Sequence, residues 1–370
     1  MNEEYLISYK SGPRVEIKGD PNSTYIVAFI DNKDNSLYGF HEIKGNAWCH
    51  LNIFYFVEWK IQIFKNNILV HTDIYNAKDK NVLIVLDSNA LGDTIAWVPY
   101  IEKFQEKHKC NIIASTFHNN LFQKEYKNII FKEPNSELLA EVYATYYVGI
   151  FNISTSIDDT RHPVNYRDSP LQKISADILG IEYEEIKPRI YRGDFYKVPN
   201  KENEKLITIG VYSSSQAKLW NNVVGWQTVV NYLLDKNYTV KVLSSEDDGY
   251  MNNFLPRGIV KQPPGSIDKV IQELLKSKAF IGVGSGLTWL SWALDVPTIL
   301  ISGFSYPWAE MQSVYRISTP KNYCSGCFNR VAFNKGNWNW CPDYANTNKQ
   351  FECTKSITPD TVIKVLDSIL

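Results

Sequence analysis

Asn81-Val-Leu-Ile-Val-Leu-Asp-Ser-Asn-Ala-Leu-Gly-Asp-Thr-Ile-Ala-Trp-Val-Pro99 is the stretch on which the fold turns. Val82–Leu86 is an apolar, β-branched run of strand length. Gly92-Asp93 ends the polar loop that follows, and Ile95, Trp97, Val98, Ile101 and Phe104 then recur at helical spacing, with the helix opening near Asp93. This is the first βα unit of an open α/β sheet. Ligands of such sheets sit outside the carboxyl ends of the strands, which places Asp93 at the mouth of the main cleft. A carboxylate there can cap its own helix or act as a base.

A second stretch has the same form. Ala279-Phe-Ile-Gly-Val-Gly-Ser-Gly-Leu-Thr-Trp-Leu-Ser-Trp-Ala-Leu-Asp295 runs from an apolar strand through a Gly/Ser loop directly into a helix, and Val296–Ser302 supplies the next strand. Small residues let the backbone approach a ligand, and the amides at the helix start favour an anion. No lysine follows the glycines, so this is not a Walker loop, and the spacing is not GxGxxG. Ile209-Gly-Val-Tyr-Ser-Ser-Ser-Gln-Ala-Lys-Leu-Trp220 is a third strand-to-helix passage. Ser213, Ser214 and Ser215 offer hydroxyls and Lys218 a compact positive charge, both suited to phosphate oxygens. After Val242-Leu-Ser-Ser, Glu246 is placed to hold ribose hydroxyls. Hydroxyls, a lysine, a glutamate and a helix start on loops of one sheet outline a nucleotide-diphosphate site. Each loop alone is equally an ordinary polar surface.

Periodicity divides the 370 residues into regions. Residues 1–78 read as all-β and barrel-like: Tyr25–Ile30 and Tyr55–Phe64 are strand-like, and Asn66-Asn67 turns a hairpin into Ile68–Ile74. Residues 79–186 alternate strand and helix, with strands at Val82–Leu86, Asn111–Ser115, Asn128–Phe131 and Tyr147–Asn152 and a helix at Leu171–Leu179. Residues 187–319 repeat the alternation after a Pro/Lys/Glu-rich linker at 187–205. Their strands are Leu206–Val211, Thr239–Ser244, Gly258–Lys261, Ala279–Val283 and Thr298–Ser302. Two Rossmann-like domains with parallel sheets follow from that alternation. Residues 320–356 hold four of the six cysteines, and 357–370 read as a closing helix.

The net charge of −1 gives no support for nucleic-acid binding or a polybasic anchor. There is no apolar run of membrane-spanning length, and the first residues lack signal-peptide features, which together predict a cytoplasmic protein. Aromatic residues reach 14%, more than a core needs. Tyr25, Trp48, Tyr55, Phe56 and Trp59 suggest an exposed interface in the N-terminal region, used for assembly and acceptor docking. Cys324, Cys327, Cys341 and Cys353 match a closed four-thiolate metal site. Disulfides compete, but a cytoplasmic chain disfavours them. On ligand chemistry alone zinc comes first and iron second. Cys49 and Cys110 read as buried thiols.

Gly92-Asp93, Lys218-x-Trp220 and Gly286-Leu287-Thr288 together resemble the ADP-heptose-using glycosyltransferases of the GT-B class. One departure narrows the match. Members acting on the lipopolysaccharide core show Asp-Thr-Gly-Leu-Ser-His where this chain has Gly284-Ser285-Gly286-Leu287-Thr288-Trp289. That exchange, Pro170–Gly180 and the all-β N-terminus resemble the bacterial autotransporter heptosyltransferases. The resemblance implies ADP-heptose as donor, an autotransporter adhesin as acceptor, a large homo-oligomer, and an iron-binding finger in place of zinc. Asp93 is then the candidate general base, with Gly92, Thr94, Ser213, Ser214, Ser215, Lys218, Trp220, Glu246, Gly284, Ser285, Gly286, Leu287 and Thr288 as candidates for holding the donor in an inverting displacement that uses no catalytic metal. His118, Arg161, His162 and Arg167 fall in first-domain loops and are given no role. A lipopolysaccharide-core enzyme with a lipid acceptor is the alternative, and a non-enzymatic metal-finger module is the alternative of another class.

Overall fold

A computed structural model describes residues 3–134, 142–193, 205–263 and 265–370. Part of the expected linker, residues 194–204, lies outside the described residues. The chain divides into two compact units, one of residues 1–89, 97–166 and 173–184, the other of residues 90–96, 167–172 and 185–370.

The first unit opens with β1 (Glu4–Ser8), β2 (Arg14–Lys18), β3 (Thr24–Asp31), β4 (Leu37–Lys44), β5 (Ala47–His50), β6 (Trp59–Lys65) and β7 (Ile68–Ile74). They form two antiparallel sheets, ordered β1-β2-β5 and β4-β3-β6-β7. Asn66 and Asn67, at φ 48° and 64°, make the expected turn between β6 and β7. Two positive φ values in succession are what a right-twisted two-residue hairpin requires, and asparagine tolerates them better than most residues. The strand expected over Tyr55–Phe64 begins only at Trp59.

The aromatic side chains of this region correct the sequence expectation. Tyr25 and Trp59 are buried in their own sheet at 0% and 3% exposure, and among the five only Trp48 is strongly exposed, at 55%. Phe56 packs inward, its ring centroid 5.7 Å from that of Phe104 and 6.1 Å from that of Tyr146. Composition counts aromatics; alternation along twisted strands decides which of them face inward. Leu37, Phe40, Ile68 and Leu69, on the outer strands β4 and β7, are among the exposed apolar side chains of this region.

β8 (Asn81–Leu86) then runs into α1 (Leu91–Trp97) and α2 (Pro99–His108), and β9 (Asn111–Ser115), β10 (Ile129–Lys132) and β11 (Ala144–Val148) complete a parallel sheet ordered β10-β9-β8-β11. The single helical stripe expected from Ile95 to Phe104 is two helices, because Pro99 cannot donate a helical hydrogen bond and serves best as a helix start. The last strand of this sheet lies three residues earlier than the apolar run Tyr147–Asn152 suggested. A short pair, β12 (Asn152–Ile153) and β13 (Ser156–Ile157), follows, and α3 spans the expected Leu171–Leu179. Cys49 and Cys110 are buried.

The second unit carries β14 (Leu206–Gly210), α4 (Gly225–Asp235), β15 (Thr239–Val242), β16 (Val260–Lys261), α5 (Ile267–Lys276), β17 (Ala279–Val283), α6 (Gly286–Ala293), β18 (Thr298–Ser302) and β19 (Tyr315–Ser318), then the short helices α7 (Cys327–Arg330) and α8 (Glu352–Lys355) and the closing helix α9 (Pro359–Asp367). Six parallel strands are ordered β16-β15-β14-β17-β18-β19. Every residue of β17 and β18 is buried, which is why both read as continuous apolar runs without alternation. β19 was not legible as a strand: its pattern Tyr-Arg-Ile-Ser holds one buried residue, as suits a sheet edge. Neighbours β14 and β17 are the first and fourth strands of the set, so the order reverses there. A crevice opens at the carboxyl ends of two strands at such a point.

Candidate active site

Three expected loops come together inside the second unit, at that reversal. The loop after β14 carries Ser213–Lys218 and the loop after β17 carries Gly284–Ser285. The Ser213 hydroxyl ties them by donating to the Gly284 carbonyl at 2.7 Å. The third contribution is α1, since residues 90–96 pack in this unit although β8 belongs to the other. A Cβ built on Gly286 would lie 2.8 Å from Leu91 Cβ and 3.1 Å from the Gly92 nitrogen; one on Gly92 would meet Trp289 Cδ1 at 3.0 Å. A side chain at Gly286 would clash with α1, and one at Gly92 would crowd Trp289, a reason for small residues separate from any ligand.

Lys218 ends a short 3₁₀ turn, Gln216–Lys218. Its ammonium donates to Ser214 Oγ at 3.1 Å and lies 5.2 and 5.4 Å from the ring centroids of Phe304 and Phe333. Loss of hydration holds its pKa below the usual lysine value, while the carboxylates of Asp93 and Glu310 oppose that shift. Asp93, at the start of α1, thus shares an electrostatic environment with Lys218. Ser285 has a buried hydroxyl with no hydrogen-bond partner among the described residues. An unpaired buried hydroxyl costs free energy that a ligand can restore.

Other expected site residues have their polar atoms engaged within the protein. Thr94 is fully buried and donates to the Ala90 carbonyl at 3.3 Å, and Thr288 donates to the Val283 carbonyl at 2.6 Å. The Trp220 indole N–H donates to the Ile357 carbonyl at 2.9 Å, inside the core of this unit. Ser215 is buried and directs its hydroxyl to the Trp338 carbonyl at 3.4 Å. Leu287 is half-buried in the first turn of α6, and a Cβ on Gly210 would meet its Cδ1 at 3.5 Å. Glu246, past the end of β15, accepts from Ser244 Oγ at 2.7 Å and remains half-buried.

Glu310 carries no motif in the sequence. Its Oε2 accepts from Arg316 Nη1 and from Ser305 Oγ, both at 2.6 Å, and its Oε1 is the atom nearest a Cβ built on Gly284, at 3.4 Å. A carboxylate thus stands beside the position where lipopolysaccharide-core sequences carry aspartate. It comes from an irregular segment, where no periodicity could have flagged it. A cavity of about 390 Å³, lined by Gln216, Met251, Asn252, Asn253 and Trp338 among others, adjoins the loop after β14.

The four C-terminal cysteines are free, and Cys327, Cys341 and Cys353 are buried. Burial pushes the Cys327 thiol up to about 11 and the Cys353 thiol up to about 12, and each feels the charge of neighbouring cysteines of the set. The donor chemistry fits a thiophilic cation. Among the described residues no group of three His, Cys, Asp or Glu side chains has the arrangement of a formed metal site. Nor is any described helix long and apolar enough to cross a membrane.

The model of glycosyltransferase family 9 (heptosyltransferase) matches residues 171–335. Over 378 residues the chain is 31% identical to the autotransporter heptosyltransferase BAHTCr of Citrobacter rodentium, covering 99% of this chain and 89% of that protein. The chain belongs to the autotransporter heptosyltransferases. Aah of Escherichia coli, another autotransporter heptosyltransferase, is 32% identical over 361 residues, covering 94% of this chain and 90% of its own. TibC, a bacterial iron-containing dodecameric glycosyltransferase of enterotoxigenic E. coli, matches in its crystal structure with a TM-score of 0.89 and 29% identity, over 99% of this chain and 95% of that one. TibC has also been solved in complex with ADP-D-beta-D-heptose. The fold is accordingly the α/β glycosyltransferase fold with parallel sheets.

Proposed function

We propose that this autotransporter heptosyltransferase moves a heptose from ADP-heptose to serine or threonine hydroxyls of an autotransporter adhesin. The observation that carries the reading is the meeting, at the strand-order reversal, of Lys218, the hydroxyl-rich loop, the unpartnered Ser285 hydroxyl and the Asp93 turn in one unit. The ADP-heptose complex of TibC supports the choice of donor. Asp93 takes the proton of the acceptor hydroxyl, whose oxygen attacks the anomeric carbon opposite the diphosphate. The carbon–oxygen bond to ADP breaks, and the configuration inverts. Lys218, Ser213, Ser214 and the amides at the start of α6 stabilise the charge that develops on the leaving diphosphate. Glu246 holds the ribose.

We further propose that Cys324, Cys327, Cys341 and Cys353 hold an iron ion in the fold of a metal finger, and that the chain works as a cytoplasmic homo-oligomer. The iron content and dodecameric state of TibC support both. Four thiolates complete a tetrahedral shell, so the ion contributes folding free energy. Mass spectrometry of a co-expressed adhesin tests the activity, with serial additions of one heptose residue expected. An unmodified adhesin beside folded, ADP-binding enzyme would overturn the acceptor assignment. Light scattering tests the assembly, and a monomer would overturn it.

A further inference from the structure

The segment from Lys321 to Ser356 touches the donor loop at several points that a remote structural finger would not need. The Trp338 carbonyl accepts from the Gln216 backbone N–H at 3.1 Å and from Ser215 Oγ at 3.4 Å, and the Trp338 indole N–H donates to Gln216 Oε1 at 3.1 Å. Phe333 stacks edge-on against Phe304, with centroids 5.2 Å apart, and the two rings flank the Lys218 ammonium. Ala217, next to that lysine, lies in one apolar cluster with Cys327, Cys341, Trp340 and Phe351. The cluster is continuous from the thiols to the backbone of the loop.

The chemistry of Lys218 gives these contacts a purpose. An ammonium has three donors, and among the described residues this one spends a single hydrogen bond, on Ser214. Two aromatic faces replace the water it would otherwise hold. They attract the cation through the ring quadrupole without using its N–H groups. The side chain is thus fixed while donors remain for an anion. A flexible, hydrated lysine would pay both ordering and dehydration on binding the same ligand.

We propose that the cysteine segment is the mould of the donor-diphosphate loop, with Phe333 and Trp338 as positioning residues that hold Lys218 and Gln216 for binding. This rests on the assignment of Lys218 to the diphosphate. The role requires coupling: what Phe333 contributes to ADP binding passes through Lys218.

Calorimetric titration of the full-length protein with ADP tests this in a double-mutant cycle. Phe333→Leu fills the space but removes the π face, and weakens ADP binding roughly three- to ten-fold. Phe333→Tyr restores it. In a Lys218→Ala background, Phe333→Leu has no further effect. Trp338→Phe, which keeps a ring and deletes the N–H to Gln216, weakens ADP binding by a similar factor and serves if Phe333→Leu does not fold. Losses that multiply in the double variant, or wild-type affinity in Phe333→Leu and Trp338→Phe while Lys218→Ala binds weakly, overturn the proposal alone. Wild-type affinity in Lys218→Ala overturns it together with the assignment of Lys218.

Discussion

Asp93 and Gly286, the one next to Gly92 in sequence and the other packed against it, answer to different physics. In the proposed reaction Asp93 serves through its charge. Asp93→Asn keeps the volume and removes the base, so transfer to the adhesin falls roughly 10²- to 10⁴-fold, while calorimetry finds ADP affinity within a few-fold of wild type. Turnover close to wild type would remove Asp93 from the base role. Gly286 is there for what it lacks. The Cβ of Gly286→Ala meets Leu91 Cβ at 2.8 Å and backbone of Gly92 at 3.1 Å, and neither is the far end of a flexible chain. Overpacking of this kind costs roughly 1–3 kcal/mol, so the variant shows a lowered melting temperature and, because α1 is displaced from α6, weakened ADP binding. An unshifted melting curve would show that the loops separate at no cost.

At the scale of the element, two segments depend on what is buried in them. The cysteine segment buries few side chains of its own: Cys327 and Cys341 sit with Trp340 and Phe351 in a small cluster completed by Phe304 and Ala217. Cys341→Ser leaves an incomplete thiolate set. Iron content by elemental analysis falls below one per chain, and thermal stability falls with it. Full metal loading in this variant would remove Cys341 from the ligand set. The loop between β11 and α3 depends on a neutral imidazole, since His162 Nε2 accepts the Phe151 backbone N–H at 3.0 Å. Burial lowers its pKa to about 4, against 6.5 for an exposed histidine. The unfolded chain therefore takes up this proton first as the pH falls. Stability from the group is whole above about pH 6.5 and drains away between there and pH 4, by up to about 3 kcal/mol. Urea titrations at pH 7 and pH 4.5 should show a smaller pH dependence in His162→Gln, which accepts the same hydrogen bond without titrating. Equal pH dependence in the two proteins would place the acid sensitivity elsewhere.

For the whole molecule, the N-terminal sheets are not an appendage. Residues 1–89 pack in one unit with β9, β10 and β11. The Tyr9 carbonyl accepts from the Thr145 backbone N–H at 3.3 Å, the Asn76 N–H donates to Tyr143 Oη at 3.0 Å, and Phe56 covers Phe104 and Tyr146. Deleting residues 1–78 strips that cover from the first parallel sheet. The truncated chain is expected to aggregate on expression, or to lose cooperative unfolding by circular dichroism. A soluble, cooperatively folding truncation would show that the first parallel sheet stands without them.

The sequence by itself determined the parallel sheets, because strands buried on both faces write themselves as unbroken apolar runs: Ala279–Val283 and Thr298–Ser302 were legible to the residue. It also singled out the loops after β8, β14 and β17, through small and hydroxyl-bearing residues at those points of the chain. Only the tertiary structure decided where the side chains of these motifs direct their polar atoms. Trp220, Thr94 and Thr288 stand in the right motifs but direct their polar atoms into the protein, because helix and strand geometry, not motif membership, sets a side chain's direction. Glu310, Phe333 and Trp338 lie in irregular segments with no period to read, and packing at long sequence separation brings them to the loop. Such contacts are made by the folded surface as a whole and leave no local pattern in the chain.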